Sequence, residues 1–217
     1  MIDLLFRNPG AFLIFAVLLL IVVTVHEFSH AFSADRLGDP TPSLMGRLTL
    51  NPFAHLDPIG TMLFVLVGFG WGKPVPFDPF NLRHPKKDSA LISFAGPLSN
   101  ILMAIISSVI LRLLINLPNL TLSFLTADLI VSFIRLNILL AVFNLIPVHP
   151  LDGFKVVGGL LPEKYYHDWL DLEKYGMIFL LLLIFPFFGA SPVLKIISPV
   201  MNLFLSILVP SQLGGII

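Results

Sequence analysis

The chain has no cysteine, and only 12% of its 217 residues carry charge. The first absence excludes disulfide frameworks, thiolate metal sites and cysteine nucleophiles together, so any metal must be held by His, Asp or Glu. The second is about half the charged fraction of ordinary soluble chains. Thirteen basic side chains balance thirteen acidic ones, which leaves no basic surface for nucleic acid. A mean hydropathy of +0.93 excludes a disordered chain. What the chain has in quantity is apolar side chains, 56% of the total, gathered in blocks between Pro-, Gly- and charge-bearing stretches. This is the composition of a membrane protein.

A spanning helix needs about 20 apolar residues, and a run of about 10 to 14 suggests a re-entrant or interfacial piece. Residues 11–34, 90–117 and 120–146 are long enough, the last two joined by a Pro118-Asn119 turn. Residues 175–188 and 192–209 are shorter and read as a hairpin of two somewhat tilted or thin-bilayer helices, separated by Gly189 and Pro192. Residues 59–70 are too short to cross. The fold class expected is therefore an all-α polytopic membrane protein, a single domain over 1–217, with about five transmembrane helices and a re-entrant segment. Within 43–77, Leu44, Leu48 and Leu50 alternate with Met45, Arg47 and Thr49, which predicts a short membrane-associated β-strand, and Lys73–Phe77 predicts another. Arg7 before an apolar run resembles the start of a signal peptide, but the run is long and four more apolar blocks follow. The first helix is expected to be retained.

The chemistry begins at His26-Glu27-Phe28-Ser29-His30. Residues four apart lie one turn above each other on one helix face, so both imidazoles can reach one metal ion. Glu27 sits about 100° round the helix, where it can address water at that metal. The bland reading is two histidines and a glutamate packed in a helix interface. Burying such groups in lipid costs several kcal/mol without a partner or a function, which favours a zinc site. Catalytic zinc takes three protein ligands and keeps a fourth position open. Among His55, His84, His149, His167 and the carboxylates, the best-placed third ligand is Asp152, directly after a long apolar block and beside Pro147, Pro150 and Gly153. Its alternative is an ordinary turn aspartate. Two neutral histidines, Asp152, Glu27 and one Zn2+ sum to zero formal charge, which a low-dielectric site tolerates.

These motifs resemble the site-2 protease family of intramembrane zinc metalloproteases. The resemblance covers most of the chain in order: His26-Glu27-x-x-His30; Asn51-Pro52 to His55, Asp57-Pro58 and Gly60-Thr61; Gly70-Trp71-Gly72-Lys73-Pro74-Val75-Pro76; Ala95-Gly96-Pro97-x-x-Asn100; and Asn144-x-x-Pro147-x-x-Pro150-Leu151-Asp152-Gly153. It implies His26, His30 and Asp152 as ligands of one zinc ion per chain, Glu27 as general base, and Asn144 as a residue that holds substrate or the oxyanion. It also implies a compact form, without the PDZ insertion or CBS pair of larger relatives. His55 and His149 are expected to be hydrogen-bonding neighbours and not ligands. Asp128 and Arg135 are expected to form a packing pair, and Gly96-Pro97 to serve close helix approach and a kink.

Both motifs lie toward the C-terminal ends of their helices, so 11–34 and 120–146 must run in the same direction for the ligands to meet. That requires 59–70 to be re-entrant. Nine Lys and Arg then fall on the side holding 35–88 and 148–174, against Arg7, Arg112 and Lys195 on the other, with Arg135 mid-helix. By the positive-inside rule the nine-rich side is cytoplasmic, in what is expected to be the cell membrane. The function expected is hydrolysis of peptide bonds within or near transmembrane segments of substrate proteins, the partners being a transmembrane substrate and the lipid bilayer. The edge of a 43–50 strand would pair with the unwound substrate. A metal transporter or a silent metal-binding scaffold is the alternative, but a transporter would show paired broken helices or a polar path.

Overall fold

A computed structural model describes residues 1–68, 70–117, 123–185 and 191–216. Helix α1 (Ile2–Arg7) breaks at Asn8, whose side chain caps α2 (Pro9–Leu37) by accepting from Ala11 N at 3.1 Å, with Pro9 in the first turn. Gly38 ends α2 in the left-handed region at φ +107°, where a Cβ would be strained. A single turn, α3 (Thr41–Leu44), follows. Asp57 caps α4 (Pro58–Val67), which stops after ten residues at Gly68. At 1.5 Å per residue α4 is about 15 Å long, half the thickness of a bilayer core.

Three helices are long and apolar enough to cross a membrane: α2, α5 (Pro85–Asn116) and α6 (Phe124–Asn144), whose best windows have mean hydropathies of 2.5, 2.2 and 1.9. They extend the expected 11–34 and 90–117 blocks at both ends or at the N-terminus. For the 120–146 block, residues 120–122 and the Pro118-Asn119 turn lie outside the described residues. Then come α7 (Asp152–Leu160), α8 (Glu163–Asp171), α9 (Gly176–Ile184) and α10 (Pro192–Leu208). Helices α9 and α10 occupy the expected 175–188 and 192–209 blocks, but at 9 and 17 residues they are shorter than a straight span requires. Residues 186–188 and Gly189 lie outside the described residues.

Helix α5 is the centre of the bundle, packed against α2, α6 and α7. Ala104 and Leu111 of α5, Val131, Ile134 and Ile138 of α6, and Ile197 and Met201 of α10 form the main apolar core. Elsewhere the spans present apolar residues outward, among them Leu13 and Val17 of α2 and Ile106 and Leu113 of α5. Large apolar faces of this kind suit lipid, which is as apolar as a protein core.

The strands expected within 43–77 are not formed, and no β-strand occurs among the described residues. The antiparallel contact that exists is a single bridge between Leu56 and Gly72, extended by Lys73 N donating to His55 O at 2.8 Å. The reason lies in Gly46, at φ +67°, and in Arg47, whose N–H closes a turn onto Pro42 O at 2.7 Å. Arg47 is buried, and its guanidinium donates to the carbonyls of Ala54, Lys73 and Pro74. Leu44 and Leu50 point out, at 82% and 60% exposure. The alternation was present, but its polar member faces inward and satisfies three loop carbonyls that would otherwise be orphaned.

Candidate metal centre

Helix α2 delivers two imidazoles to one face through the four-residue spacing, and both are buried. Their rings meet edge-on at 4.7 Å. Asp152 is the first residue of α7. The chain leaves α6 at Leu145, turns through Pro147 and a cis His149–Pro150 bond, and folds back past the end of α6 so that α7 packs on α5. Gly153 permits the return, since a Cβ there would lie 2.3 Å from Leu145 O. The resulting geometry brings His26 Nε2, His30 Nε2 and Asp152 Oδ2 together. His26 Nε2 and His30 Nε2 are 3.0 Å apart, and they lie 3.2 and 3.4 Å from Asp152 Oδ2.

Hydrogen bonds on the far side of each ring fix what these atoms carry. His26 Nδ1 lies 2.6 Å from Asn100 Oδ1, and His30 Nδ1 lies 2.7 Å from Ile92 O. Both partners only accept, so both Nδ1 atoms hold the proton and both Nε2 atoms are bare lone pairs. Asp152 Oδ2 is buried without a hydrogen-bond donor. Three lone-pair atoms facing one another are unfavourable without a cation between them. The donor set fits zinc: with bonds of about 2.0–2.1 Å, tetrahedral donors lie about 3.3–3.4 Å apart. His26, His30 and Asp152 are also the group of His and carboxylate residues able to hold a metal among the described residues.

Gly96 of α5 faces the ring pair; a Cβ there would sit 2.4 Å from His30 Nε2 and 2.7 Å from His26 Cε1. Its contacts run antiparallel along α2 and α5, with Ile92 at His30, Gly96 at both rings and Asn100 at His26. Glu27 is half-buried beside the pair. Its charge is felt in the 43–50 loop: burial draws the Arg47 pKa down from its ordinary value, and the charge of Glu27 opposes that fall.

The other candidates stand apart. Asn144 donates from Nδ2 to Leu140 O at 3.0 Å, one turn back on α6, and no hydrogen bond ties it to the three ligand-type residues. His55 is buried with Nε2 against Thr49 O at 2.9 Å, and His149 faces Glu173 at 3.3 Å, so neither joins the cluster. Asn100 was visible in the sequence only as the end of a motif. Its signal was a polar amide inside an apolar span, but nothing local says which ring it meets.

The sequence model of peptidase family M50 matches residues 14–131, more than half of the chain. The chain belongs to peptidase family M50. The matched stretch holds the His26 to His30 motif, Gly96 and Asn100, and ends before Asp152. This M50 chain is 39% identical over 172 residues to a Bacillus subtilis protein named "Putative zinc metalloprotease YwhC", covering 77% of this chain and 78% of that protein. It is 31% identical over 171 residues to "Putative zinc metalloprotease Rip2" of Mycobacterium tuberculosis, covering 76% of this chain and 63% of that protein. "Zinc metalloprotease MJ0392" of Methanocaldococcus jannaschii is 25% identical over 150 residues, covering 69% of this chain and 34% of that protein. No solved structure matches the chain. The family and the three long apolar helices together make it an integral membrane protein.

Proposed function

We propose that this chain is an intramembrane zinc metalloprotease of the site-2 type, a single domain that hydrolyses peptide bonds in or near the transmembrane segments of other proteins. The observation that carries this reading is the convergence of three proton-free donor atoms beside a glutamate, inside helices fit to cross a bilayer. His26, His30 and Asp152 hold one zinc ion. When bound, zinc supplies Lewis acidity, lowering the pKa of a water and polarising the scissile carbonyl. Glu27 takes the proton from the attacking water and passes it to the leaving amine. Asn144 meets the substrate backbone: its Oδ1 accepts no hydrogen bond among the described residues and one N–H remains to donate. A transmembrane substrate hides its carbonyls in its own helix and must be locally extended before cleavage.

The antiparallel contact of α2 with α5 supports the topology in which α4 is re-entrant. The chain that leaves α2 at Leu37 then re-enters through α5 from the same side, and α6 returns parallel to α2, its end close to the histidines. With α9 and α10 as a short pair in a locally thinned bilayer the membrane domain has five crossings. The basic side, holding residues 35–88 and 148–174, is cytoplasmic, and the membrane is the cell membrane. Metal analysis of purified protein coupled to cleavage of a model transmembrane peptide tests the assignment. Glu27→Gln is expected to keep about one zinc per chain and lose nearly all cleavage, whereas His26→Ala and Asp152→Ala lose both. Normal turnover by Glu27→Gln would refute the hydrolytic role.

A further inference from the structure

The amide that orients His26 is itself oriented from a third helix. Asn100 gives one hydrogen of Nδ2 to Val22 O at 3.3 Å and the other to Asn137 Oδ1 at 3.0 Å, leaving its Oδ1 to face His26 Nδ1. Asn137, on α6, donates from Nδ2 to Phe133 O at 2.9 Å. Both asparagines are fully buried, at 0% exposure, inside the contact of α2, α5 and α6. Turning the Asn100 amide over would set its oxygen against Val22 O and Asn137 Oδ1, two acceptors with no proton between them. Turning Asn137 would set its oxygen against Phe133 O and its N–H against an N–H of Asn100. In one arrangement only does each of these contacts pair a donor with an acceptor. Donation therefore runs one way, from His26 to Asn100 to Asn137 to Phe133 O, and each bond polarises the next.

We infer that Asn137 is a positioning residue of the metal centre, acting through Asn100 to hold the proton on His26 Nδ1 and the bare Nε2 toward Asp152. This rests on the zinc reading of the site. Packing alone does not call for an amide at position 137, because leucine has nearly the same shape and carries no polar group to bury. Asn137 also lies on the helix that leads into the Asp152 turn, so one hydrogen-bond chain ties α2, which bears both histidines, through α5 to the helix that precedes the third ligand. Without the Asn137 acceptor only the 3.3 Å bond to Val22 O still opposes a turn of the Asn100 amide, and a turned amide offers His26 an N–H, which would demand the tautomer with Nε2 protonated and unable to bind metal.

The test compares wild type with Asn137→Leu and Asn137→Thr, each full chain in detergent. Three quantities are read: zinc affinity by competition with a chromophoric chelator, the visible spectrum of the Co2+-loaded protein, and thermal melting. The expected result is a folded Asn137→Leu that melts somewhat below wild type because a buried N–H of Asn100 loses its acceptor, with zinc binding about 10- to 100-fold weaker and shifted cobalt bands. Asn137→Thr, whose hydroxyl can donate to Phe133 O and accept from Asn100, should recover part of both. Wild-type zinc affinity and cobalt spectrum in a folded Asn137→Leu would overturn the inference while leaving the metal site intact. Should Asn137→Leu not fold, equal zinc affinity in Asn137→Ala and Asn137→Thr would overturn it. Failure of the wild type itself to bind zinc overturns the metal reading, and this inference with it.

Discussion

Adding one methyl group at Gly96 should weaken zinc binding by roughly 30- to 1,000-fold. An alanine Cβ at this position would lie 2.4 Å from His30 Nε2, 2.6 Å from His30 Cε1 and 2.7 Å from His26 Cε1. Ordinary contact begins near 3.4 Å, so about 1 Å of relief is needed. The obvious relief is for α5 to draw back from α2. Helix α5, however, also carries Asn100 and Ile92, which hold the two Nδ1 atoms at 2.6 and 2.7 Å. Withdrawal by about 1 Å would stretch both bonds beyond the 3.2 Å or so at which N–H to O contacts are effective. Alternatively the rings tilt, and ligand placement is then lost beyond the roughly 0.2 Å that a zinc site tolerates. Overpacking costs about 1–3 kcal/mol and each weakened hydrogen bond about 0.5–1.5 kcal/mol, so a net of about 2–4 kcal/mol on the metal-competent state is reasonable. At about 1.4 kcal/mol per decade this gives the stated range. The assay is chelator competition on detergent-solubilised protein, with thermal melting as the control for folding. Gly10→Ala is the matched comparison, since the nearest atom to its Cβ is Asn8 Oδ1 at an ordinary 3.6 Å, and it should bind zinc as wild type does. A folded Gly96→Ala within twofold of wild type would show that the α2–α5 contact has slack and that the argument from steric fit is wrong.

Asn144→Ala is expected to keep zinc content and fold while cleavage falls about 100-fold, as loss of a donor preorganised for the transition state does; loss of zinc would instead make the residue structural. Because the chain has no cysteine of its own, single cysteines at Ser43 and Lys86 can be labelled selectively, and both should react from the cytoplasmic side. Labelling from opposite faces would mean that α4 crosses the membrane. Asp39 is buried, which works to raise its pKa, but donors from Thr41, Asn81 and Asp78 N outweigh burial and hold the carboxyl below its ordinary value. A depressed folded pKa contributes stability that is full above about pH 4 and lost as pH falls through the folded value. Asp39→Asn should therefore lower melting at pH 7 and leave a melting temperature that varies less between pH 5 and pH 3 than wild type does.

The sequence by itself determined the parts that depend on near neighbours along the chain. Length and hydropathy marked α2, α5 and α6 as membrane-crossing, because a bilayer demands a run of fixed length whatever packs beside it. The four-residue spacing put His26 and His30 on one face. Inward and outward faces were not readable. Lipid is as apolar as a protein core, so the Leu44, Leu48 and Leu50 alternation could not say that Leu44 and Leu50 face out and Arg47 faces in. Local pattern singled out Asp152 as the best-placed third ligand, but it could not carry that carboxylate to two histidines more than a hundred residues away, nor show that Asn100 and Asn137 complete the chain behind His26. Those contacts exist because α5 lies between α2 and α6 at a separation that Gly96 permits, and only the packing of three helices sets that separation.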